Sequence, residues 1–171
     1  MTLTITLPER LHGDLLQHLG KDGAEEVAFL AARFIHGDAV LESFDLYPVP
    51  VEGFAFQSDF HVQLTDVTRG IVIRWAHERE AALIEAHAHR GPWAASFSPT
   101  DLSGLEEWVP HVRWRLAGRP YAALVVADSS FDALAWTGSS RSPEAVAALS
   151  VGSVLLEPTG LTVTRLMLRG D

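Results

Sequence analysis

Ala81-Ala82-Leu83-Ile84-Glu85-Ala86-His87-Ala88-His89, a loop containing Gly91-Pro92, and then Ser98-Pro99-Thr100-Asp101 form the stretch that decides how this chain is read. The apolar start is a short buried strand. Alternate residues of a strand face the same way, so His87 and His89 present their rings side by side. Asp101 follows after a short loop. Two imidazoles and a carboxylate make a three-ligand zinc set that leaves a fourth tetrahedral position for water, the pattern of a catalytic rather than a structural metal. Each half also has an ordinary explanation. A histidine on a strand is more often packed than ligating, and Ser98-Pro99-Thr100-Asp101 has the Ser N-cap, first-turn Pro and N3 acid of a helix start.

The composition narrows the class. A chain of 171 residues fits one domain with a respectable core. No apolar run approaches the roughly 20 residues that span a bilayer, so no membrane partner is expected. Met1-Thr2-Leu3-Thr4-Ile5-Thr6-Leu7 alternates like a strand and lacks the basic start of a signal peptide. There is no cysteine for disulfides or thiolate ligands, and a cytoplasmic location is the expectation. A net charge of −9 argues against a nucleic-acid partner, although Arg113, Arg115 and Arg119 lie close together. Lys21 is the only lysine, which a GC-rich coding sequence explains alongside the abundant Ala, Gly and Arg.

Outward from the histidines, periodicity predicts strands at Thr2–Leu7, Ala82–His89 and Tyr121–Ala127, with Phe131–Thr137 as a hairpin partner of the last. Leu11, Leu15, Leu16 and Leu19 share a stripe, predicting a helix over Glu9–Leu19. A second helix over Leu64–Ala76 has Thr65 as N-cap, and a third starts at Ser98 and runs towards Trp108. Glu25–Ile35 reads as an apolar strand or short helix, and Val40–Phe60 as short extended pieces between turns. Gly138–Pro143 is a polar loop, and Val151–Leu156 and Leu161–Leu168 are late strands or helix. No repeat or linker divides the chain.

The order His87-x-His89, Ser98-x-x-Asp101, with an acid upstream in the apolar segment Glu26-Val27-Ala28-Phe29-Leu30-Ala31, resembles the JAMM motif of the JAB/MPN zinc metalloproteases. One departure stands out. The family places Pro directly after the second His, whereas this chain has Arg90 and then Gly91-Pro92. The resemblance implies one α/β domain over residues 1–171, JAB/MPN-like (cytidine-deaminase-like), with a central mixed sheet flanked by helices. It implies Zn²⁺ held by His87, His89 and Asp101, Glu26 as general base in preference to Glu25, and Ser98 as donor to the oxyanion. The implied activity is isopeptide or peptide cleavage after the C-terminal tail of a ubiquitin-like protein, with E1-like and E2-like proteins as pathway partners.

Rival readings share the motif. One is a peptidase that trims a sulfur-carrier protein behind a terminal Gly-Gly; another is a catalytically silent MPN scaffold. A third makes the motif accidental in an unrelated α/β binding domain. Glu85 shares the face of His87 and reads either as a partner orienting an imidazole or as an edge-exposed acid. Phe97 is expected to anchor the intervening loop, and Trp93 is open between anchor and substrate wall. His12, His18, His36, His61, His77 and His111 lack ligand spacing.

Overall fold

The computed structural model describes residues 2–21 and 23–169. Its elements run β1 (Leu3–Leu7), α1 (Glu9–Leu19), β2 (Val27–Ile35), β3 (Val40–Pro48), a 3-10 turn (Val51–Gly53), β4 (Phe54–Gln57), β5 (Val62–Leu64) and α2 (Asp66–Glu78). β6 (Ala82–Ala88), α3 (Pro99–Arg115), β7 (Tyr121–Val126), β8 (Phe131–Trp136), β9 (Glu144–Val151), β10 (Val154–Leu156) and α4 (Leu161–Arg169) follow.

Seven strands in the order β1-β3-β2-β6-β7-β8-β9 form one mixed sheet, and β9 returns to pair with β1 in parallel from Thr4↔Ala148 to Leu7↔Val151. The sheet is a closed barrel, with β10 pairing antiparallel to the Leu149–Val151 end of β9 and β4–β5 a separate hairpin. This corrects the expectation of a JAB/MPN-like (cytidine-deaminase-like) α/β domain with a central sheet flanked by helices. β1 cannot be the edge of such a sheet, because both of its sides are hydrogen-bonded, one to β3 and one to β9.

Side-chain size explains why closure is tolerated. Along β2, β6, β7 and β8 the inward positions are largely small: Ala28 and Ala32, Ala82 and Ala86, Ala122, Ala133 and Ala135. A barrel of this strand number has an interior only wide enough to be filled by side chains, and alanines alternating with Leu30, Ile84 and Leu124 fill it without overpacking. α1 adds Leu15 and Leu19 to the same cluster.

The outward face of β2, β6, β7 and β8 makes a second core with α2 and α3, including Phe29, Leu83, Ala123 and Leu134 from the strands and Val72, Leu105, Val109 and Val112 from the helices. α2 begins at the predicted N-cap, Thr65, whose Oγ1 accepts the Thr68 N–H. α3 runs beyond the predicted end at Trp108, through Pro110, to Arg115. Val109 and Val112 are buried on either side of that proline, so packing against the barrel outweighs the local cost of Pro in a helix. α4 sits on β8, where buried Asp132 accepts hydrogen bonds from the N–H groups of Gly160 and Thr162 and from the Thr162 hydroxyl. Among the described residues no helix is long and apolar enough to cross a membrane.

Candidate metal centre

β6 lies between β2, antiparallel with Val27 opposite His87, and β7, parallel with Val125 opposite His87. Its outward positions are Leu83, Glu85 and His87. His89 follows the last residue of the strand, yet its N–H still donates to the Val126 carbonyl at 2.8 Å. The ladder therefore carries the alternation one step further, and both rings point from the same face.

α3 brings the carboxylate to them. Its capping box is complete: Ser98 Oγ accepts the Asp101 N–H at 3.1 Å, and Asp101 Oδ2 accepts the Ser98 N–H at 2.7 Å. The same Oδ2 lies 3.6 Å from His87 Nε2 and 3.2 Å from His89 Nε2, and the two imidazole nitrogens are 3.2 Å apart. The capping role and the ligating role are thus compatible in one side chain.

These three atoms form a nearly equilateral triangle. Metal–ligand bonds of ~2.0–2.1 Å in tetrahedral arrangement separate neighbouring donors by about 3.4 Å, which falls inside the observed 3.2–3.6 Å. The His87, His89 and Asp101 group can hold a metal ion.

The loop between the ligands is tied down at several points. Ser130 Oγ accepts the Ala95 N–H and Thr162 Oγ1 accepts the Phe97 N–H, while the Thr159 hydroxyl donates to the Ala95 carbonyl. Phe97 is buried with its ring centroid 5.8 Å from that of His87, the anchor it was expected to be. Trp93 is 76% exposed and anchors nothing in the core. Gly91 takes φ 115, and a Cβ there would press on the Trp93 ring at 3.0 Å, so the turn after His89 requires glycine at that position.

The two upstream acids separate cleanly. Val27 pairs with His87 and shares its face, so Glu25, two residues earlier, extends along that face while Glu26 points the other way. Glu25 Oε1 stands 4.0 Å from His89 Nε2 with the side chain 5% exposed. Glu26 Oε2 instead stands 3.7 Å from His18 Nε2 of α1. The structure brings Glu25 to the triad and not Glu26, which corrects the preference drawn from sequence. The Glu25 backbone is fastened to the β4–β5 hairpin, its N–H donating to Ser58 O and its carbonyl accepting from Gln57 Nε2.

Burial raises the Glu25 carboxyl above its ordinary pKa, opposed by the charges of His87 and His89. Burial works against a charged His87, but the hydrogen bond and charge of Asp101 overcome it and leave the ring above its ordinary value. Burial likewise opposes ionised Asp101, and its close contacts with both histidines hold it well below the carboxylate range.

Sequence reasoning placed Glu85 on the face of His87 but did not foresee its partner. Glu85 is no exposed edge acid: Tyr121, fully buried on β7, donates its hydroxyl hydrogen to Glu85 Oε2 at 2.5 Å and accepts from Trp108 Nε1 at 2.9 Å. Burial raises the Glu85 carboxyl and raises Tyr121 well above its ordinary value. Glu85, His87 and Asp101 together line a cleft of about 380 Å³ walled by β5, α2 and α3. A larger cavity of about 770 Å³ lies between α1 and β3 and contains none of the three ligands.

No protein-family model and no curated protein sequence matches this chain. Its fold is similar to the solution structure of a Desulfitobacterium hafniense protein, with TM-score 0.56 and 13% identity, covering 88% of this chain and 94% of the other. At that identity the likeness speaks for the fold alone.

Proposed function

We propose that this chain is a zinc-dependent hydrolase of peptide or isopeptide bonds with a JAMM-type site, acting behind the C-terminal tail of a ubiquitin-like protein. The observation that carries the reading is the donor triangle of His87, His89 and Asp101 with the Glu25 carboxylate beside it. A complete ligand set with an acid at its margin is what hydrolysis asks for, and a silent binding scaffold has no need of either. The ubiquitin-like substrate rests on the motif resemblance.

When bound, zinc would supply positive charge that makes water a nucleophile near neutral pH and polarises a carbonyl. The chain's own groups have distinct tasks. Glu25, with its carboxyl pushed up by burial, is suited to take a proton from water at its Oε1 and return it to the departing amine. Ser98 Oγ spends a lone pair on the Asp101 N–H, and its hydroxyl hydrogen remains to donate to a developing oxyanion. Phe97 packs against the His87 ring and holds its orientation. The capping box keeps Asp101 at the start of α3 before any metal arrives.

The test pairs metal content with cleavage. Wild type is expected to carry near one zinc per chain and to cleave a ubiquitin-like tail fused to a reporter. His89→Ala is expected to lose both. Absence of stoichiometric zinc in wild type refutes the proposal, and zinc without cleavage of linear or lysine-linked fusions refutes the assigned substrate.

A further inference from the structure

Glu85 lies on the outward face of β6 two residues before His87, a step of roughly 7 Å along the strand, and lines the cleft that His87 and Asp101 also line. One carboxylate oxygen is fixed by the Tyr121 hydroxyl, itself held by Trp108. The other has no hydrogen-bond partner among the described residues. Nor does any basic side chain among them stand within ion-pair distance of it. Arg69, which also lines the cleft, lies against Asp66 and over the Trp108 ring.

A neutral amide would satisfy Tyr121 equally well. The Tyr121 hydroxyl occupies one oxygen of Glu85 and leaves the other open towards the cleft that Glu85 lines. A group that suits that open oxygen is a cation arriving from the cleft, through a charge-assisted hydrogen bond. Val27, Val62, Leu64, Leu105 and Trp108 are the apolar part of the same lining, beside polar residues that include His61, Gln63 and Arg69. Long basic side chains bury their methylene stem along apolar surface and present the charge at its end.

We infer that this cleft is a specificity pocket for a lysine- or arginine-like side chain of the substrate, with Glu85 receiving the cationic head one strand step from the metal ligands. That the pocket serves catalysis rests on the hydrolase reading above; that it binds such a group does not. Glu85 acts here as a specificity residue and takes no part in bond cleavage.

The Trp108 indole N–H, hydrogen-bonded to the Tyr121 that holds Glu85, is a built-in reporter. The full chain is titrated with Nα-acetyl-lysinamide, Nα-acetyl-argininamide and Nα-acetyl-norleucinamide while that resonance is followed by NMR, its assignment made with Trp108→Phe. The basic probes are expected to shift it and to bind about tenfold tighter or more than norleucine, which keeps the stem and lacks the charge. Glu85→Gln, which still accepts from Tyr121, is expected to erase that difference. Equal binding of lysine and norleucine probes to wild type overturns the inference without recourse to any variant. So does a lysine preference that survives in folded Glu85→Gln. Zinc-dependent cleavage with no preference for a basic residue would remove the pocket and leave the hydrolase. Lysine binding in a protein that takes up no zinc would remove the hydrolase and leave the pocket.

Discussion

Exchanging Glu25 and Glu26 one at a time for glutamine separates two neighbouring acids by strand parity alone. Glu25 is almost fully buried with Oε1 4.0 Å from His89 Nε2, and Gln in its place keeps the volume while removing the base. Loss of a general base typically slows a reaction by about 10²–10⁴-fold, or roughly 3–5 kcal/mol of barrier. Glu26 faces His18 at 3.7 Å. Burial lowers the pKa of that imidazole, so at neutral pH the ring is uncharged and Glu26→Gln gives up no ion pair. Its expected cost is under about 1 kcal/mol of stability, with turnover within a few-fold of wild type. The assay is hydrolysis of a fluorogenic ubiquitin-like tail, with zinc measured on the same samples so that loss of metal is not mistaken for loss of the base. Glu26→Gln abolishing turnover with zinc retained, while Glu25→Gln keeps it, would refute the parity argument and the site built on it.

Two more outcomes follow from the same contacts. Because His87 sits above its ordinary pKa of 6.5 in the folded metal-free protein, its contribution to stability is fully present below that value and is lost as pH rises through the folded pKa; depressed Asp101 contributes above its ordinary 3.8 and loses this only in strong acid. Thermal melts of chelator-treated protein should therefore fall as pH rises above His87's ordinary 6.5, while zinc affinity rises as protons leave the ligands; a metal-free melting temperature that climbs as pH rises above that value would contradict the assignment. Asp132→Ala removes a buried acceptor that holds the first residues of α4 and should cost roughly 3 kcal/mol or more, read by denaturant unfolding, with α4 the first segment cut in limited proteolysis; an unchanged unfolding midpoint would show that α4 is held by other contacts.

Local elements were legible where the physical signal is local. Leu11, Leu15 and Leu19 predicted α1 to its observed ends, Thr65 marked the start of α2, and the alternation of Leu3, Ile5 and Leu7 gave β1. Closure was not legible. It depends on β1 pairing with β9, more than 140 positions later, and Glu144-Ala145-Val146-Ala147-Ala148 has too few branched residues to announce a strand. The alanines that permit a narrow barrel look, one segment at a time, like the inner face of an ordinary sheet. α3 runs past Trp108, where the sequence reading left it, because burial of Val109 and Val112 carries the helix through Pro110.

The site shows the same division. His87, His89 and Asp101 were found because period-2 spacing and a capping box are written in the sequence, and both survive folding unchanged. Glu25 rather than Glu26 stands beside the triad because the choice depends on which residue of β2 stands opposite which of β6. That register belongs to the pair of strands and to neither alone. Once Val27 is opposite His87, the parity of every neighbour is settled: Glu25 and Phe29 face outward with the histidines, and Glu26 and Ala28 face away. The Glu85–Tyr121 contact obeys the same rule one strand further on, where Ala123 pairs with Glu85 and Tyr121 lies two residues earlier on the same outward face. The chemistry beside the triad is therefore set by two registers, β2 on β6 and β6 on β7. A one-residue slip in the first would exchange Glu25 for Glu26, and one in the second would take Tyr121 from Glu85, with His87, His89 and Asp101 still in place.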